Sequence, residues 1–169
     1  MTNIVNILEK NTEWTSVHLT ELEKNLLREH TYNPAIWIDQ VNQQILTDIF
    51  KRIPTIEHDI ILYSGAETSL KNYKFNEHGL PLKYFTSSYN IQVAQKYTKM
   101  QDSKDACLFI LHVTQGSKII CLDQISVHGK AEHEVLLNSN AMLCVTKIEN
   151  QIEENGYIVV HVTYNDSEI

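Results

Sequence analysis

Residues 107–113 read CLFILHV, apolar at every position but His112. A run this short fits a strand buried on both faces better than a helix. It reads as the central strand of a sheet, and the sequence on either side supports that. Downstream, residues 119–122, 134–137, 142–148 and 157–164 are further strand segments. The last, YIVVHVTY, is rich in β-branched and aromatic residues. Gln115-Gly116 and residues 138–140 supply hairpin turns. Upstream, residues 59–63 (DIILY) end at Ser64-Gly65, and residues 82–87 (LKYFTS) follow the turn signal Gly79-Leu80-Pro81. Asn90 is placed to cap a short helix running to Met100, with Val93, Ala94 and Tyr97 facing inward.

The first third of the chain reads differently. Leu19, Leu22, Leu26 and Leu27 recur at helical spacing among Glu and Lys residues. Asn33-Pro34 is a helix start, because Asn caps and Pro fits the first helical position. Ile38, Val41, Ile45 and Ile49 follow at three- and four-residue steps and predict one apolar face, and Pro54 ends that helix. Helices first and strands later give an α+β class, with N-terminal helices packed on a mostly antiparallel sheet. The expected organisation is one domain over residues 1–169, helical in 1–55 and mainly β in 56–169.

Composition narrows the function classes. The chain has 169 residues, of which 43% are hydrophobic and 21% charged, as in ordinary folded proteins. The formal charge of −7 argues against a broad phosphate-binding face. Only two arginines occur, Arg28 and Arg52. Cys107, Cys121 and Cys144 have neither metal nor redox spacing and read as buried reduced thiols. The first ten residues are too polar for a signal peptide, and no apolar run approaches the roughly 18 residues of a membrane span. A cytoplasmic location, in a bacterium or in a host cell, and no membrane partner are therefore expected. No metal site is expected either, since no His or Cys spacing fits one.

Three segments carry candidate chemistry. The first is Leu62-Tyr63-Ser64-Gly65, a strand ending in a small polar residue and a glycine that lets a backbone approach a ligand. The second is Phe85-Thr86-Ser87-Ser88, three hydroxyls at a strand end, followed by Ala94. The third is Glu132-His133-Glu134 ahead of the apolar Val135-Leu136-Leu137. If that segment is extended, both carboxylates share one face and His133 points the other way. Like charges that close imply an incoming cation or a positively charged transition state. Alone, each segment also has an ordinary explanation: a turn, a helix cap, a pair of solvated acids.

Their order is more specific. Over residues 59–148 the chain resembles the mono-ADP-ribosyltransferases of the arginine–serine–glutamate (Glu-x-Glu) class, and especially their small phage-encoded and bacterial members. In that class a strand ending in Tyr-Arg-Gly is followed by a Phe-x-Ser-Thr-Ser strand, and an alanine-bearing helix comes next. An apolar strand, a Gly-Ser/Thr-Lys turn and Glu-x-Glu complete the series. Here the matching stretches are LYSG, FTSSYNIQVAQKY, LFILHVTQGSKIICL and AEHEVLLNSNAMLCV.

The resemblance implies a split β-sheet core with an NAD cleft, NAD as a substrate, and no metal. It implies that Glu134 stabilises the oxocarbenium-like transition state at the ribose. Ser87, or Thr86 in the other register, would orient Glu134. Glu132 would sit nearer the acceptor. Tyr63, Ser64 and Gly65 would line the NAD cleft, with Thr86 and Ser88 beside them. The family arginine falls at Ser64, which leaves the phosphates to backbone N–H groups or a lysine such as Lys83. Matching Phe85 makes Ser87 the first serine of the second motif; matching Ala94 makes Thr86 the first and Ser88 the last. Tyr97 packs beneath the cleft or in the core, and His128 and Lys130 are candidates for acceptor contacts.

The implied activity is transfer of ADP-ribose from NAD to a macromolecule, protein arginine or RNA, with arginine favoured by Glu132. The alternatives are a catalytically degenerate NAD-binding module and an NAD glycohydrolase. A toxin paired with an antitoxin or inhibitor protein, and a phage factor acting on host machinery, both fit such a chain.

Overall fold

The computed structural model describes residues 4–66, 80–81, 86–99, 106–129, 132–138 and 141–165. The helices are α1 (Ile4–His18), α2 (Glu21–His30), α3 (Gln40–Arg52), α4 (Ile91–Lys99) and the single turn α5 (Ile152–Asn155), with a 3-10 turn at Pro34–Ile38. The strands are β1 (Ile60–Ala66), β2 (Leu80–Pro81), β3 (Thr86–Ser88), β4 (Cys107–Val113), β5 (Ile119–Cys121), β6 (Glu134–Leu137), β7 (Met142–Gln151) and β8 (Tyr157–Asn165). They form one eight-stranded sheet in the order β2-β7-β8-β4-β1-β3-β6-β5. Among the described residues only the β4–β8 pair is parallel. The class is α+β, as expected, and β4 lies between β8 and β1 inside the sheet.

The turns do less than expected. Gln115-Gly116 is a turn with Gly116 at φ +88°, but the strands it joins, β4 and β5, do not pair. The chain is drawn off by Ile56, which exchanges backbone hydrogen bonds with Gly116 and Ser117 at 2.9 and 2.8 Å. Ser139 and Asn140 lie outside the described residues, and β6 and β7, on either side of them, do not pair. The hairpin that forms is β7–β8, closed by α5 and by Gly156 in the left-handed region at φ +79°.

The N-terminal helices also differ in phase. Thr20 and Glu23 form a capping box at the start of α2. Asn33 makes no side-chain cap, and Pro34 opens the 3-10 turn. The cap of α3 is Asp39, whose carboxylate accepts from the N–H groups of Val41 and Asn42 at 2.8 and 3.1 Å. That break resets the helical phase. Leu46, Ile49 and Phe50 are buried, while Ile38 and Val41 are exposed. Leu22 is exposed as well, and Leu19 and Leu27 carry the packing.

The core lies on both faces of the sheet. On one face α1 contributes Ile7 and Leu8 to a cluster with Phe109, Val135, Leu137 and Val162. Helices α2 and α3 and the 3-10 turn cover the opposite face of β5 and β6, where Leu27, Trp37 and Ile49 pack on Ile120, Leu122 and Leu136. Alternation along β6 sends Val135 and Leu137 one way and Leu136 the other, so Glu134 shares the α2–α3 face. Asn11 of α1 satisfies edge strand β5: its side chain donates to Ile119 O at 2.8 Å and accepts from Cys121 N at 2.7 Å. Cys107 and Cys121 are buried, but Cys144 is exposed, contrary to expectation, because it stands on the outer face of β7. No helix among the described residues is long and apolar enough to cross a membrane.

Candidate active site

The three sequence segments converge because β1, β3 and β6 are neighbours in the sheet. Tyr63 lies opposite Ser88, and Ser88 lies opposite Glu134. A cleft of about 240 Å³ opens here, with Tyr63, Ser64 and Gly65 on one side and Ser87, Ser88, Glu132 and Glu134 on another. Thr86 sits in β3 opposite Leu136, next along the ladder. Val93, Ala94 and Tyr97 of α4 form part of the wall, and His128 stands at the loop side. Lys83, Phe85 and Lys130 lie outside the described residues. A larger hollow of about 390 Å³ runs along α1 beside Tyr89 and Asp123. The acids that line it are Glu9, Glu13 and Asp123, whereas Glu132 and Glu134 open into the smaller cleft.

Glu134 is 8% exposed. Burial and the charge of Glu132 push its carboxyl up to about 7, while His128 and a hydrogen bond from Ser126 pull the other way. A carboxylate this poorly solvated is a strong partner for positive charge in a closed site. Glu132 is half-buried and accepts a hydrogen bond from the Tyr97 hydroxyl. Burial and that contact push the Tyr97 hydroxyl up in turn.

The expected extended Glu-x-Glu geometry is not what forms. His133 has φ +47°, so the chain kinks there and β6 begins at Glu134. Both acids still reach the cleft, and His133 still turns away. Its Nδ1 lies 2.5 Å from the hydroxyl of Tyr89, which donates to Asp123 at 2.8 Å.

The serines act on backbone. Ser87 donates to Val135 O at 2.9 Å, because alternation puts its side chain on the Val135 face rather than the Glu134 face. Ser88 donates to Glu132 O at 2.9 Å and accepts from Asn90 N at 3.0 Å. Together they lock β6 and the turn before it. Asn90 caps α4 by accepting from Gln92 N at 2.9 Å, as the sequence predicts.

Gly65 is explained by packing. A Cβ there would fall 2.2 Å from Ala94 O and 2.8 Å from Tyr97 Cβ, so glycine is what lets α4 close on β1. Neither arginine serves the cleft. Arg52 pairs with Glu23, and Arg28 bonds Ile125 O at 3.2 Å and Asn25 at 3.1 Å. Among the described residues the basic side chains lining the cleft are His30 and His128. His128 approaches Thr31 O, with Nε2 at 3.3 Å.

His30 and Trp37 are the site elements that the sequence did not disclose. The indole of Trp37 donates to His30 Nδ1 at 2.8 Å, and His30 Nε2 stands 3.8 Å from Glu134 Oε1. Both rings are buried in the α2–α3 layer. Burial holds the His30 imidazole down to about 4. The available signal was their helical neighbourhood alone, about a hundred residues before Glu134, and nothing in that spacing points to a site.

No family model matches the chain, and no curated protein does. Solved structures match over nearly the whole length. Plx2a, an ADP-ribosyltransferase toxin from Paenibacillus larvae, aligns at a TM-score of 0.71 and 13% identity, over 96% of this chain and 94% of that one. C3stau2 from S. aureus, solved with NAD, aligns at 0.66 and 11%, over 98% and 97%. The ADP-ribosyltransferase Vis from Vibrio splendidus, solved with agmatine, aligns at 0.62 and 16%, over 98% and 86%. The chain has the fold of these mono-ADP-ribosyltransferases.

Proposed function

We propose that this chain binds NAD in the cleft and transfers ADP-ribose from it to a macromolecular acceptor, releasing nicotinamide. The observation that carries the reading is the meeting of Glu134, Glu132, Ser87 and Ser88 with Tyr63, Ser64 and Gly65 around one cleft. The fold supports it, and so does a neighbour solved with NAD. On this reading residues 1–169 act as one ADP-ribosyltransferase-like domain.

The bond between ribose C1′ and nicotinamide nitrogen breaks with its electron pair leaving on nicotinamide. Positive charge grows on the ribose. Glu134, ionised and poorly solvated, stabilises that charge. The acceptor nitrogen or oxygen then bonds C1′, and Glu132 takes the acceptor's proton. Ser87 and Ser88 hold the backbone that carries both acids. The phosphates fall to backbone N–H groups around Ser64 or to Lys83.

A protein arginine is the favoured acceptor, with RNA as the other class. Glu132 presents a carboxylate at one wall of the cleft, held by the Tyr97 hydroxyl, a fit for a guanidinium. Agmatine, the ligand solved with Vis, carries the same guanidinium group. The net charge of −7 disfavours a polyanion as the acceptor.

The test is incubation with labelled NAD and a bacterial lysate, comparing wild type with Glu134→Ala. Label on macromolecules and free nicotinamide, both lost in the variant, is the expected result. Protease and nuclease digestion then separate protein from RNA acceptors. Nicotinamide without label points to a glycohydrolase or to a lysate that lacks the acceptor. NAD binding with neither product identifies a degenerate module, and no NAD binding at all ends the reading.

A further inference from the structure

The side chain expected to orient Glu134 does not reach it. Ser87 gives its hydroxyl proton to Val135 O, on the other face of β6. On the Glu134 face stands a ring from α2. His30 is 1% exposed, and its Nε2 has no hydrogen-bond partner among the described residues. A buried donor without a partner costs stability and needs a physical reason.

We infer that His30 is the positioning residue for Glu134, a neutral imidazole whose tautomer Trp37 sets and whose Nε2–H secures one carboxylate oxygen, leaving the other for the substrate. The tautomer follows from donor chemistry. An indole N–H can only donate, so His30 Nδ1, 2.8 Å away, is an acceptor and carries no proton. The proton of the neutral ring is then on Nε2. That atom lies 3.8 Å from Glu134 Oε1, the width of a hydrogen bond plus less than an ångström. Ionisation of Glu134 supplies the attraction that closes the gap. Trp37 is held in turn by the 3-10 turn Pro34–Ile38, and it packs in the α2–α3 core. The groups facing Glu134 are thus Glu132 before it in sequence, Ser126, His128 and Asp123 from the loop after β5, Tyr97 from α4, and His30 from α2.

This assignment rests on the NAD reading only for the identity of the substrate; the His30–Glu134 relation is testable without it. The first measurement is a long-range nitrogen spectrum of histidine-labelled wild type, with carboxyl-carbon titration of Glu134. The expected result is a neutral His30 protonated at Nε2 from pH 5 to 8. In His30→Phe the Glu134 midpoint should rise by about one pH unit, because the ionised form loses a donor. In His30→Gln, which keeps an N–H at the same place, it should return toward wild type. Trp37→Phe should release the tautomer without removing the ring.

With NAD, the acid limb of kcat/KM should move up with that midpoint, giving His30→Phe about tenfold lower activity near pH 6 and His30→Gln most of the wild-type rate. A purely structural role would lower stability without moving the limb. A proton found on Nδ1, or a Glu134 midpoint unchanged in His30→Phe, overturns the assignment. Wild type that releases no nicotinamide overturns the transfer reaction instead, and the titration still decides His30.

Discussion

The carbonyl oxygen of Ala94 lies where a side chain on Gly65 would begin: a Cβ on Gly65 would stand 2.2 Å from it. Helix α4 therefore rests on β1 with nothing between the backbones, and both elements line the cleft. Gly65→Ala should push α4 outward and destabilise the protein by about 1–3 kcal/mol. For a chain of this size that lowers Tm by roughly 2–4 °C per kcal/mol. Thermal unfolding checks it. A Tm equal to wild type would mean that the approach is looser than the geometry states.

Asn11 is the corresponding contact at the far edge of the sheet. It is 7% exposed and bonds both Ile119 O and Cys121 N of β5. Asn11→Leu leaves a buried N–H and a C=O without partners, for a cost of about 2–4 kcal/mol. Urea unfolding gives the cost, and amide exchange gives the place. The Cys121 N–H should exchange faster in the variant. Unchanged exchange there would sink the idea that α1 pins this edge.

The elements that were legible in the sequence are those whose signal is local. The apolar run 107–113 is β4, and Asn90 caps α4 as read. Glu132, Glu134, Ser87, Ser88, Tyr63, Ser64 and Gly65 meet around one cleft, an expectation that came from the resemblance to a family and from no local signal. What was not legible depends on long-range choices. Gln115-Gly116 has hairpin chemistry, yet Ile56 decides where the chain goes next. Val41 fits a helical stripe counted from Ile38, yet the Asp39 cap starts that count afresh. The kink at His133 and the alternation that turns Ser87 from Glu134 appear only once register is fixed. His30 belongs to the same group, because only the packing of α2 on β6 brings it to Glu134.

Tyr97 separates the two halves of the proposed reaction. Its hydroxyl donates to Glu132 and makes no hydrogen bond to Glu134. Tyr97→Phe should leave nicotinamide release near wild type and weaken use of a guanidinium acceptor by about three- to tenfold, as expected for one partly exposed charge-assisted hydrogen bond. Glu132→Gln should act in the same direction and more strongly. The measurement is the ratio of transfer to total NAD cleavage with agmatine as the acceptor. Equal losses in both half-reactions would place Tyr97 under the ribose instead.

Glu134 and His30 also set opposing pH dependences of stability. Glu134 is raised to about 7 when folded, so the native state holds its proton more tightly than the unfolded chain does. Its contribution is fully present below the unfolded value and is lost as pH rises from about 4.5 to 7. His30 is lowered to about 4, so the native state holds its proton less tightly. Its contribution is fully present above about 6.5 and is lost as pH falls toward 4. Each is on the order of 3 kcal/mol, and over this window they nearly cancel. Wild type should therefore show little slope from this pair between pH 4.5 and 6.5. Glu134→Gln should leave the His30 effect unopposed, with stability rising as pH increases over that range. His30→Gln should do the reverse, with stability falling from pH 4.5 to 7. Denaturant midpoints across that range for the three proteins decide it. Parallel curves for all three would show that neither group is perturbed by folding.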